Sequence, residues 1–139
     1  RDRATGTPQV LFVCVANAGR SQLAAALVNQ MSNGTVIARS AGSTPATDVH
    51  PHVRSLLTEI EGESDAAEAF PKPLTDDAVR AADVVITMGC GDVCPIIPGV
   101  RYEDWMVGDP ALASQAGVEA IRDDITARVR ALLDTLPSR

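Results

Sequence analysis

The chain has 139 residues, 45% of them hydrophobic and 22% charged, which suits one globular core and excludes a disordered or fibrous class. Its 18 acidic and 12 basic residues give a formal charge of −6, which argues against nucleic acid or an anionic membrane as partner, since both require a basic face. A small anion held by a few focused donors is still compatible with that charge.

Residues 1–7 read as a flexible tail, and residues 8–139 as a single domain. Gln9 to Val13 (QVLFV) is a short continuous apolar run, the pattern of a strand buried on both faces. Cys14 follows it directly. Ser21 to Met31 is dense in helix formers and carries Leu23, Leu27 and Met31 at four-residue spacing, which predicts a helix with one apolar stripe. Ser32-Asn33-Gly34 marks a turn, Thr35 to Arg39 (TVIAR) a second strand, and Ser40-Ala41-Gly42 another turn. Pro51 to Ile60 predicts a helix with Pro51 at an early position, and residues 61–74, with Gly62, Pro71 and Pro73, read as loop. Thr75 caps a short helix running to Ala82, and Asp83 to Thr87 (DVVIT) predicts another buried strand. Arg101 to Trp105 predicts a last short strand. From Gly117 onward, Val118, Ile121, Ile125, Val129, Leu132 and Leu136 recur at helical spacing opposite Arg122, Asp123, Arg128 and Arg130, so the chain closes on a long amphipathic helix.

The order β-α-β-α-α-β-β-α predicts an α/β fold of three layers: a mainly parallel four-stranded sheet with helices on both faces and right-handed crossovers. Ligands bind such sheets beyond the carboxyl ends of the strands. The loops after Val13 and after Thr87 both lie there, so Cys14 and Cys90 can meet although they are distant in sequence. No apolar run approaches the roughly 20 residues of a membrane span, and the first residues lack the layout of a signal peptide. A cytoplasmic monomer is the expectation. Three cysteines in such a chain read as thiols with chemistry, not as bridges.

Cys14-Val15-Ala16-Asn17-Ala18-Gly19-Arg20-Ser21 has the form C-x5-R-S between a buried strand and a helix start. A loop wound onto a helix N-terminus aims several backbone N–H groups at one point and adds the positive end of the helix dipole, which makes a site for a tetrahedral anion. Asn17 and Gly19 tolerate the backbone angles such a cradle needs. The same field favours the thiolate of Cys14, the form that acts as nucleophile. Arg20 supplies a planar, permanently charged fork for two oxyanion oxygens, and Ser21 can donate a hydrogen bond to the sulfur. The competing reading is a buried strand-end cysteine beside an exposed helical arginine; the flanking strand and helix weigh against it.

Several segments together resemble the low-molecular-weight phosphotyrosine phosphatase scaffold, and within it the thiol-dependent arsenate reductases. They are VLFVCVANAGRSQLAAAL, Arg39-Ser40-Ala41-Gly42-Ser43-Thr44, Lys72-Pro73-Leu74, and Trp105 followed by Asp109-Pro110. The resemblance implies Cys14 as nucleophile and Asp109 as general acid; by sequence alone Asp109 also reads as a turn residue before proline. Ala111 stands where many of these phosphatases carry tyrosine, and one Tyr, one Trp and two Phe make an aromatic slot for phosphotyrosine hard to build. A low-molecular-weight protein tyrosine phosphatase is the alternative function.

Phosphoryl transfer through a cysteine needs no second thiol, whereas reducing arsenate to arsenite needs two electrons. Met88-Gly89-Cys90-Gly91-Asp92-Val93-Cys94-Pro95 offers two thiols among glycines that permit movement. Zinc binding is a poorer reading, because Cys-x3-Cys lacks a second ligand pair and His50 and His52 are distant in sequence. Burial of both sulfurs is a further reading, disfavoured by the polar, glycine-rich setting. The arsenate-reductase resemblance implies a relay in which Cys90 attacks the Cys14 adduct and Cys94 then attacks Cys90. A thioredoxin-type donor reduces the final disulfide, so electrons come from an external thiol and no resident cofactor or metal is expected.

Overall fold

The computed structural model describes residues 7–88, 100–107 and 114–136. They form β1 (Gln9–Cys14), α1 (Arg20–Met31), β2 (Ile37–Gly42), α2 (Pro51–Glu61), α3 (Glu63–Glu68), α4 (Asp76–Ala81), β3 (Val84–Thr87), β4 (Arg101–Asp104) and α5 (Gln115–Thr135). The strands lie in the order β2-β1-β3-β4, and every neighbouring pair is parallel. β1 is flanked on both sides, and all six of its residues are buried, which is why its apolar run does not alternate.

Successive β1 side chains feed two cores. Val10, Phe12 and Cys14 pack with Leu23 and Val28 of α1, Leu56 of α2, and Ile125 and Val129 of α5. Leu11 and Val13 face the other way, onto Ala41, Val85 and Val79 of α4. Helices therefore cover both faces, as the alternation of elements predicts. No helix among the described residues is long and apolar enough to cross a membrane.

Four local expectations need correction. α1 does not carry a single apolar stripe: Ser21 to Val28 are all buried, because the helix is packed against the sheet, α2 and α5. The second strand runs over Ile37–Gly42, later than Thr35 to Arg39. The turn before it extends further, with Asn33 (φ 56°) and Gly34 (φ 87°) left-handed and Thr35 N–H bonded to Ser32 O at 3.0 Å. Parallel pairing of Ser40, Ala41 and Gly42 with Phe12, Val13 and Cys14 overrides their turn-like composition. Residues 63–68 form α3 within a stretch that reads as loop; Gly62 (φ 95°) joins it to α2, and Glu63 and Asp65 favour its N-terminus. The last helix begins at Gln115, ahead of Gly117, because Ser114 Oγ accepts from Gly117 N–H at 3.2 Å.

β2 is an edge strand whose outer backbone is covered at two points. Asn29 of α1 brackets Ala38, accepting from its N–H at 2.9 Å and donating to its C=O at 3.2 Å. Gly42 pairs with residues 72–74, donating to Lys72 O at 2.8 Å and accepting from Leu74 N–H at 2.9 Å. Such cover protects the edge from pairing with another chain.

Phe12 is fully buried at the centre of the sheet, its ring 5.5 Å from that of Trp105 at an interplanar angle of 57°. Phe12→Ala is expected to lower unfolding free energy by about 3–5 kcal/mol in urea denaturation.

Candidate active site

Cys14 closes β1 beside Gly42 of β2, and its side chain is buried. The chain then turns through residues 15–19 into α1. Asn17 is left-handed (φ 53°) and buried. Gly19, the N-cap residue of α1, stands at φ −147°, ψ −90°, outside the extended and helical regions as expected of it, while the left-handed position of the loop belongs to Asn17.

Five consecutive carbonyls of the loop are anchored. Cys14 O accepts from Ser43 N–H at 3.2 Å, Val15 O from Thr44 N–H at 2.8 Å, Ala16 O from Ala46 N–H at 2.9 Å and Ala18 O from His50 N–H at 2.9 Å. Asn17 O accepts from Gln22 Nε2 at 3.1 Å. A trans peptide sets its N–H opposite its C=O, so the amides of Val15 to Gly19 turn away from these anchors. Among the described residues none of those five amides has an acceptor. α1 has no capping side chain at its N-terminus, which leaves its first amides to the same concavity. Amide donors and a positive helix end together suit a tetrahedral oxyanion.

The sulfur has a defined donor. Ser21 Oγ lies 2.9 Å from Cys14 Sγ and 2.7 Å from Asn17 Nδ2. Lys72 N–H, which can only donate, lies 2.8 Å from the other amide atom of Asn17, identifying that atom as Oδ1. Nδ2 therefore donates to Ser21 Oγ and leaves the serine hydrogen free; when Cys14 is a thiolate, which has no hydrogen to give, that hydroxyl is the donor, the polarity that stabilises the anion. Arg20 opens α1, half-buried, and no hydrogen bond or ion pair with another described residue engages its guanidinium. Val15, at 40% exposure, gives the loop an open apolar face.

Of the remaining sequence-derived candidates, Cys90, Cys94 and Asp109 lie outside the described residues, as does the tail at 1–6. His50 and His52 start α2: His50 Nδ1 accepts from His52 N–H at 3.3 Å as the N-cap. Among the described residues no cluster of His, Cys, Asp and Glu is arranged to hold a metal.

Gly42 and Gln22 carry weight that composition does not signal. A Cβ on Gly42 would stand 2.7 Å from Val15 O and 2.9 Å from both Cβ and N of Asn17. A cavity of about 450 Å³, lined by Gln22, Ser40, Glu61, Phe70 and Lys72 among others, adjoins this side of the loop without including Cys14. The anion cradle is made by backbone and needs no such volume. In the cavity wall, burial and the neighbouring Asp65 raise the Glu61 carboxyl above its ordinary 4.5, with Lys72 opposing. Burial likewise lowers the Lys72 ammonium, with Glu61 opposing.

Gly42→Ala is expected to displace the loop, weakening binding of inorganic phosphate at least about tenfold in calorimetry, or about 1.4 kcal/mol. Glu61 gives a pH signature. Its native carboxyl holds a proton more tightly than the unfolded one, so its contribution makes stability fall as pH rises through the interval just above 4.5. Glu61→Gln removes that contribution, and denaturation at several pH values reads the difference in slope.

Known proteins share this fold. A family model described as low molecular weight phosphotyrosine protein phosphatase matches residues 9–139. The chain is 35% identical over 136 residues to a Halobacterium salinarum protein provisionally named an arsenate reductase, covering 94% of each. It is 48% identical to a thioredoxin-dependent arsenate reductase of Corynebacterium glutamicum, whose structure superposes with a TM-score of 0.78. That match covers 95% of this chain and 63% of the other, so this chain spans less than two thirds of its length. A solved arsenate reductase in its phosphate-binding state superposes with a TM-score of 0.79 at 26% identity, over 94% of this chain and 99% of that one. The loop, the sheet order and a match running from residue 9 to residue 139 converge: the chain belongs to the low molecular weight phosphotyrosine protein phosphatase family.

Proposed function

We propose that the chain is an arsenate reductase that uses three cysteines and draws its electrons from thioredoxin. The observation that carries the reading is the Ser21 hydroxyl 2.9 Å from Cys14 Sγ, at the base of a loop whose carbonyls are anchored away from it. The arsenate reductases among its relatives support arsenate over a phosphate ester.

Arsenate sits on the amides of Val15 to Gly19, with Arg20 on two of its oxygens, and the Cys14 thiolate attacks arsenic. One arsenate oxygen leaves as water, protonated with the help of Asp109. The Cys90 thiolate then attacks Cys14 Sγ; the sulfur–arsenic bond breaks with its electron pair left on arsenic, which departs reduced by two electrons as arsenite. The Cys14–Cys90 disulfide is opened by the Cys94 thiolate, which frees Cys14 and leaves a Cys90–Cys94 disulfide. A thioredoxin dithiol reduces that bond by exchange. Thiols used this way must be kept reduced, which assigns the enzyme to a reducing compartment such as the cytoplasm.

The test is turnover of arsenate coupled to thioredoxin, thioredoxin reductase and NADPH. Cys14→Ser, Cys90→Ser and Cys94→Ser each abolish turnover, and Arg20→Lys lowers it by about 10²-fold. Undiminished turnover in both Cys90→Ser and Cys94→Ser sinks the relay. Efficient hydrolysis of an aryl phosphate that survives both substitutions, without arsenate turnover in the parent protein, assigns a phosphatase instead.

A further inference from the structure

We infer that Gln22 is a positioning residue for the Cys14 thiolate: its amide holds Asn17 and the 70–72 segment so that the Ser21 hydroxyl is left free to donate to sulfur. The inference rests on Cys14 being the nucleophile of the proposed function.

Gln22 is 7% exposed in the first turn of α1, beside the buried Ala24, Ala25 and Ala26. A buried amide is costly unless it is bonded. Its Nε2 lies 3.1 Å from Asn17 O, 3.1 Å from Asn17 Oδ1 and 2.9 Å from Phe70 O. Two of these acceptors belong to the catalytic loop. The third belongs to a segment 48 residues away in sequence.

Direction is what this arrangement controls. Lys72 N–H and Gln22 Nε2 both donate to Asn17 Oδ1. A flip of the Asn17 amide would set its NH2 group against two N–H donors, so the flip is blocked. Gln22 also fixes Phe70, two residues before Lys72, and so keeps the Lys72 amide where Asn17 needs it. Nδ2 stays on Ser21 Oγ, and the serine hydrogen stays available to the thiolate 2.9 Å away. In the flipped amide Oδ1 would face Ser21, the hydroxyl would turn to it, and the thiolate would lose its donor.

The experiment uses protein carrying Cys90→Ser and Cys94→Ser, so that Cys14 alone is alkylated by iodoacetamide, followed by mass spectrometry across pH. Gln22→Met keeps the length and removes the amide. The pH at which Cys14 alkylation reaches half its plateau is expected to rise by about one unit, or about tenfold in thiolate preference, and Ser21→Ala to give a similar rise. Combined with Ser21→Ala, Gln22→Met adds no further rise, because both act through one hydrogen bond. Asn29→Ala, on the same helix and cavity wall, leaves the profile unchanged.

A Gln22→Met profile that superimposes on the parent's while Ser21→Ala shifts overturns the inference. A full additional shift in the double variant does so too, since Gln22 would then act by another route. If circular dichroism shows Gln22→Met unfolded, Gln22→Ala takes its place with the same outcomes. No arsenate enters the measurement: failed arsenate turnover sinks the functional reading, whereas an unshifted alkylation profile sinks the role of Gln22 alone.

Discussion

The structure depends most on the anchoring of the loop carbonyls by the segment that follows β2. Amides of Ser43, Thr44, Ala46 and His50 take the C=O groups of Cys14, Val15, Ala16 and Ala18. Backbone in a tight loop would otherwise scatter its donors. Fixing one side of each peptide fixes the other, and the N–H groups converge without a charged side chain holding them. An acidic protein can bind an anion in this way because the field is local, built from dipoles within hydrogen-bond range. The parallel register that puts Gly42 opposite Cys14 brings the two segments together.

Behind the loop lies a buried polar network of Asn17, Ser21 and Gln22, closed at its far end by backbone of residues 70 and 72. Buried amides and hydroxyls stabilise a fold only when every strong donor and acceptor is matched. Here the matching also has a sense, running from the Lys72 amide through Asn17 and Ser21 to sulfur. The sheet supplies position and the network supplies polarity.

Much of this is legible in the sequence, for reasons that differ by element. β1, α1 and the C-x5-R-S loop announce themselves because strand, turn and helix each have a local composition and here follow one another without a gap. The parallel pairing of the strands and the helices on both faces follow from the alternation of elements. The end of β2 is not legible: Ser40, Ala41 and Gly42 have turn chemistry, and only pairing with β1 makes them strand. α3 is too short and too closely bounded by glycine and proline to show a period. Gln22 looks like one more good helix former, because its partners at Phe70 and Asn17 meet it only in the folded chain. Gly42 likewise signals a turn by composition, whereas its function is to let two backbones approach.

The uncapped start of α1 ties ligand to fold. Helices favour a serine, threonine, asparagine or aspartate on their first amides, and replacing such a cap costs about 0.5–2 kcal/mol with alanine but only a few tenths with glycine. This helix begins at Gly19 without one, and its nearby serine is committed to sulfur instead. An oxyanion bound there completes the helix as a cap would. At a concentration one hundred times its dissociation constant it contributes about 2.7 kcal/mol, enough to offset the missing side chain. Thermal stability therefore reports the anion content of the surroundings, and two oxyanions competing for the loop compete to complete the same helix.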